Sequence, residues 1–123
     1  IAEMLDLFPP LKKLVNRPSG VLSGGEQQMV AFARALIRHP ELVIMDEPSM
    51  GLAPALVKRV FEIIEEIRSR NIAVFIVEQN ARAALRVADY AYVLAAGQVV
   101  LEGTPDVVAS APMMTEAYLG KRS

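Results

Sequence analysis

The sequence predicts an α/β fold built on a largely parallel sheet flanked by helices, with a C-terminal hairpin and short helices. Three observations lead there. Two apolar runs of strand length, Leu42 to Met45 and Ile72 to Val77, show no alternation with polar residues, as expected of strands in a sheet covered on both faces. A segment of helical periodicity, opened by Pro54, lies between them. Another helical segment and apolar run follow, and that succession is the order of right-handed crossovers in a parallel sheet.

From the N-terminus, Met4, Leu5, Leu7, Phe8, Leu11 and Leu14 recur at loosely helical spacing, and Pro9-Pro10 divides the segment into two short pieces. Asn16 to Gly20 is a turn-rich linker. A helix is predicted from Ser23, because Ser23-Gly24-Gly25-Glu26 has the S-x-x-E capping pattern. It carries Met29, Phe32, Leu36 and Ile37 on its apolar side and stops near His39-Pro40. In the next helix Leu56, Val57, Val60, Phe61, Ile64 and Ile67 form the buried stripe, while Lys58, Arg59, Glu62, Glu65, Glu66 and Arg68 lie mostly on the wet face. A short helix is expected over Ala81 to Ala88. Tyr90 to Leu94 and Gln98 to Leu101 should form a hairpin turning near Gly97. Thr104 should cap a short helix with Pro105 in its first position, and a helical tail should end at Tyr118-Leu119-Gly120. Phe8, Phe32, Phe61 and Phe75 are expected in the core, Tyr90 and Tyr92 as packing residues, and His39 as a structural residue.

The 123 residues suffice for one domain with a modest core. Thirteen basic against fourteen acidic residues, a net charge of −1, offer no electrostatic case for nucleic-acid binding. The absence of cysteine excludes disulfides and thiolate metal sites. No apolar run approaches the roughly 20 residues that span a bilayer. A hydrophobic fraction of 53% is high, so apolar surface intended for segments outside this chain is expected, with self-association where strands lack neighbours.

Two runs carry chemistry. Ser23-Gly24-Gly25 opens a helix, where unpaired backbone N–H groups attract anions and glycines admit a phosphate without a Cβ in the way. Taken alone, the run is read first as a plain capped helix start. Asp46-Glu47 ends an apolar strand, the place where open α/β sheets present ligands. Two acids there suit phosphoryl transfer, one holding Mg²⁺ and the other orienting or deprotonating water. They equally suit a cap on the next element.

The spacing of these runs, with Pro48-Ser49 following the acids, resembles the ATP-binding cassette (ABC) ATPases. Leu22 to Gln28 matches that family's signature motif, and Leu42 to Glu47 matches its Walker B strand with the catalytic glutamate. The resemblance implies a partial P-loop NTPase fold. Residues 1–40 would be a signature-bearing helical segment, and 41–123 the Walker B strand, D-loop, switch loop and C-terminal elements. No G-x-x-x-x-G-K-S/T loop occurs in the chain, and Ile rather than Met stands first, so a piece of a longer protein, inactive alone, is expected.

In that family two ATPase domains enclose two nucleotides. By resemblance, Ser23, Gly24, Gly25, Glu26 and Gln27 would contact ATP held by the partner domain. Asp46 would hold Mg²⁺ through water and Glu47 would activate water. Ser49 and Gly51 lie in the D-loop that links the two sites. Gln79 stands where most members place a switch histidine; its amide can donate to a phosphate but cannot change charge. Ala53 stands where an aspartate is frequent, so no side-chain cap is available there.

Those two departures, with Val77-Glu78-Gln79-Asn80-Ala81, Gly97 to Thr104 and Ala117-Tyr118-Leu119-Gly120, are similar to the ATP-binding subunits of bacterial branched-chain amino-acid transporters. The implied partners are a second ATPase subunit, transmembrane permease subunits and, indirectly, a periplasmic or extracellular substrate-binding protein. The implied place is the cytoplasmic face of the bacterial inner membrane. Two other readings are a non-catalytic dimerisation or regulatory module, and a cassette ATPase of the DNA-repair or chromosome type. The second of these lacks its expected heptad run and basic surface here.

Overall fold

A computed structural model describes residues 1–116. The chain forms two compact units, Ile1–Val77 and a second beginning at Glu78. The C-terminal run Ala117-Tyr118-Leu119-Gly120 lies outside the described residues.

In the first unit, helix α1 (Ala2–Leu7) runs into a 3₁₀ turn over Pro9–Lys13, the break expected at the proline pair. Helix α2 (Gly24–Leu36) follows, then strand β1 (Leu42–Asp46), helix α3 (Pro54–Ser69) and strand β2 (Ala73–Val77). Strands β1 and β2 pair in parallel with Ile44 opposite Phe75, so α3 is the crossover between them. Ala53 precedes α3 without a side-chain cap, and Pro54 takes its first position.

The core lies between α3 and one face of this sheet. Val43 and Met45 are buried on that face, and Ile63, Ile64 and Ile67 of α3 are fully buried. The predicted stripe omitted Ile63, which one more turn of helical spacing from Val60 would have supplied. Phe8 and Phe32 stack with ring centroids 6.5 Å apart, fastening the end of α1 to α2.

Arg59, expected on the wet face, is only partly exposed. Its guanidinium lies 3.3 Å from both Glu62 and Glu66 and donates to the Leu7 carbonyl at 3.4 Å, tying α3 to α1. Arg70 pairs with Glu3 at 2.6 Å across the same junction.

Among the described residues the second face of the sheet is uncovered, as expected of apolar surface left for segments outside this chain, and Phe75, expected in the core, lies on it. Leu42, Ile44, Phe75 and Val77 share the second face of β1–β2 and stand exposed, Ile44 at 69% and Phe75 at 54% of their surface. An unalternated apolar run says that both faces are apolar but not what covers the second. Concentration-dependent self-association through this face is therefore expected, and Ile44→Glu with Phe75→Glu should abolish it by placing two charges there. Sedimentation velocity checks this; an unsubstituted chain that stays monomeric at high concentration would refute it.

In the second unit, α4 (Ala81–Val87) precedes a hairpin of β3 (Ala91–Ala95) and β4 (Gln98–Gly103). Ala96 and Gly97 both have positive φ, 50° and 77°, the geometry of a tight two-residue hairpin turn. Pairing shifts between Val93 and Leu94, where a bulge interrupts the register. Strands β3 and β4 pair antiparallel, the hairpin expected on either side of Gly97. Tyr90 and Tyr92 are half exposed and pack on each other, ring centroids 5.2 Å apart. Helices α5 (Pro105–Ser110) and α6 (Pro112–Met114) follow. Thr104 sits at the N-cap of α5 but its side chain makes no capping hydrogen bond; only its carbonyl serves the helix, accepting from Val108 at 3.0 Å.

Candidate functional site

The first turn of α2 is built by its own sequence. The Ser23 N–H and hydroxyl both donate to the Glu26 carboxylate, at 2.7 and 2.8 Å, and the Glu26 N–H donates back to Ser23 Oγ at 3.4 Å. This is the reciprocal capping box that the S-x-x-E pattern predicts. Gln27 folds back to donate to the Leu22 carbonyl at 3.1 Å.

The two glycines have different surroundings. A Cβ on Gly24 would meet nothing within 4 Å, so this backbone is open to an approaching group. A Cβ on Gly25 would lie 2.6 Å from Leu56 Cδ1 in the first turn of α3. Gly25 is buried, and its missing side chain lets the two helix starts approach closely. Ligand access therefore distinguishes Gly24, and helix packing distinguishes Gly25. The sequence treated them alike because Leu56 lies far along the chain.

Glu26 is held below the ordinary glutamate pKa, first by the Ser23 N–H and then by its hydroxyl. A pKa depressed by folding contributes stability above the unfolded value, and that contribution is lost as the pH falls through the folded one. Glu26→Gln should therefore lower the melting temperature at pH 7, with the difference shrinking as glutamate protonates in acid. A difference that ignores pH would refute this account of the cap.

Asp46 ends β1 with an exposed carboxylate. Glu47 follows in a left-handed backbone conformation, φ 46°, uncommon for a residue with a side chain. Its N–H donates to the Val77 carbonyl at 2.8 Å, and its carbonyl accepts from Met50 at 3.0 Å. The loop to α3 then turns through buried Ser49, whose carbonyl accepts from Leu52 at 3.3 Å, and Gly51, whose φ of 72° favours glycine. Strained backbone beside a carboxylate pair is a common mark of a working site.

Gln79 lies at an exposed position in the second unit, and its carbonyl accepts from the Ala81 N–H at 2.8 Å. Next to it, Asn80 caps α4, accepting from Ala83 at 3.2 Å. Asn directly before a helical run is a cap signal legible in the sequence. His39 is exposed, 3.8 Å from Glu3. Among the described residues, no three His, Cys, Asp or Glu side chains group as a metal cage. The donor set at Asp46 fits Mg²⁺, which is commonly held by one or two carboxylates, phosphate oxygens and waters.

Residues 1–50 match the ABC transporter family. The chain is 48% identical over 118 residues to the high-affinity branched-chain amino acid transport ATP-binding protein BraG of Pseudomonas aeruginosa, covering 96% of this chain and 51% of that protein. It is 38% identical over 101 residues to the lipopolysaccharide export system ATP-binding protein LptB of Haemophilus influenzae, covering 82% of this chain and 42% of that protein. Among solved structures, the ADP conformation of an ATP-binding cassette of an ABC transporter superposes with a TM-score of 0.81 at 33% identity, over 97% of this chain and 48% of that one. The chain thus spans about half the length of the curated relatives it matches.

The chain is part of an ATP-binding cassette ATPase. Within that family it is homologous to the ATPases of branched-chain amino-acid transporters. No helix among the described residues is long and apolar enough to cross a membrane.

Proposed function

We propose that this chain supplies the water-activating and signature elements of an ATPase subunit that energises uptake of branched-chain or related amino acids. The observation that carries the reading is the Asp46-Glu47 pair at the end of a parallel strand, with Glu47 in a constrained backbone conformation, beside a capped helix start whose Gly24 is open. The higher identity to the branched-chain transport protein, 48% against 38% for the lipopolysaccharide exporter, favours amino acids as the transported class.

In this reading Asp46 would hold Mg²⁺, which when bound would neutralise charge on the phosphate oxygens. Glu47 accepts a proton from the attacking water as its oxygen bonds to the γ-phosphorus. The bond from that phosphorus to the bridging oxygen breaks, giving ADP and inorganic phosphate. Gln79 donates its amide N–H to a phosphate oxygen and leaves the proton transfer to Glu47. Gly24 offers its backbone N–H to the γ-phosphate of ATP bound by a second ATPase subunit, and the Ser23 hydroxyl joins it by turning from Glu26 to that phosphate, with Gly25, Glu26 and Gln27 shaping the helix start. Ser49 and Gly51 form the loop between the two sites. The ATPase pair would sit on the cytoplasmic face of the inner membrane, against transmembrane permease subunits fed by a substrate-binding protein.

The exposed face of β1–β2 would be covered by a phosphate-loop-bearing half of the domain, which the resemblance to the ABC ATPases implies. Joining that half to this chain should produce magnesium-dependent ATP hydrolysis, whereas the chain alone should show none. A phosphate-release assay decides it. Turnover by the chain alone, lost on Glu47→Gln, would overturn the need for the second half. A folded joined domain that binds no ATP would overturn the function.

A further inference from the structure

We propose that Gln28 is a positioning residue that couples the anion-facing start of α2 to Glu47, so that the two chemical elements of the chain respond together. The inference rests on the role given to Glu47 above. The half-buried Gln28 amide donates to the carbonyl of Pro48 at 3.2 Å, spanning 20 residues of sequence. Pro48 is buried and directly follows Glu47. Proline has no N–H, so its carbonyl is the only backbone hydrogen-bonding group through which that residue can be held.

Glu47 needs such a hold. Its φ of 46° is kept by its surroundings rather than by its own preference. The Val77 carbonyl fixes its N–H and the Met50 N–H fixes its carbonyl. Gln28 fixes the next peptide from a different element. A second fastening closes the far end of the same loop, where Leu56 in the first turn of α3 packs into the space left by Gly25 in the first turn of α2. The loop from Pro48 to Ala53 is therefore bound to the start of α2 at both ends, with Ser49 buried between. A phosphate drawing on Ser23 and Gly24 shifts the helix turns that hold Pro48 and Leu56, and Glu47 follows.

Two substitutions separate positioning from mere packing. Gln28→Glu keeps the shape but, ionised, has no proton to donate; Gln28→Lys restores a donor on a long flexible stem. In this chain, amide exchange at Glu47 and Met50, followed by NMR, should accelerate about tenfold or more in Gln28→Glu and return to near the parent rate in Gln28→Lys. In the domain joined to the phosphate-loop-bearing half, Gln28→Glu should lower kcat about tenfold with KM for MgATP within about twofold, and Gln28→Lys should recover it. Parent-like exchange in Gln28→Glu, or a rise in KM at unchanged kcat, would overturn the proposal. If Glu47→Gln leaves turnover intact, the role of Glu47 fails instead, while the exchange result still judges whether Gln28 holds the loop.

Discussion

Phe8→Ala is expected to destabilise the first unit by about 3–5 kcal/mol, the usual loss for truncating a fully buried phenylalanine and leaving a cavity. Phe8 is 0% exposed and its ring stacks on Phe32, so no solvent route softens the loss. It also sits where α1 ends and the 3₁₀ turn begins, and its backbone closes both. Domains of this size commonly have only about 5–15 kcal/mol in total, so the loss is a large share of it and should lower the melting temperature by well over about 5 °C. Urea denaturation followed by circular dichroism should show a lower midpoint at nearly unchanged slope. Phe8→Leu, which retains most of the buried volume, should lose much less. A midpoint that hardly moves in Phe8→Ala would mean that the helical segment before Ser23 packs independently of α2.

The second large effect concerns chemistry. In the domain joined to its phosphate-loop-bearing half, Glu47→Gln should reduce kcat by about 10²–10⁴, the range typical of losing a positioned general base, with KM for MgATP little changed. The substitution is nearly isosteric and leaves unaltered the backbone groups that bond Val77 and Met50. The lost property is therefore the capacity to accept a proton. Gln79→Leu should cost less, because an amide can orient a phosphate but not take a proton from water. A Gln79 variant more damaged than Glu47→Gln would refute Glu47 as the main source of the rate.

Local chemistry was legible in the sequence wherever it spans a few residues. The Ser23–Glu26 capping box, the start of α3 at Pro54, the break at Pro9-Pro10 and the turn at Gly97 all stand where the sequence places them. Each depends on neighbours within a turn or two, so a single stretch of chain contains the whole cause. The place of Asp46 at the end of β1, with Glu47 directly after it, was legible for a related reason: two acids close an apolar run of strand length. Thr104 shows the limit of that reasoning, since the residue type favours a cap and the side chain does not make one.

The sequence by itself determined which segments are strands and helices, where the acids and glycines fall, and the family to which they belong. Tertiary structure alone decided how those residues are used. It assigned Gly25 to Leu56 and left Gly24 open, bound Gln28 to Pro48, turned Arg59 toward Leu7, and exposed Phe75. The physical reason is common to all four. Alternation and periodicity specify which face of an element a residue occupies, but the partner across that face comes from distant chain, and only folding brings it there.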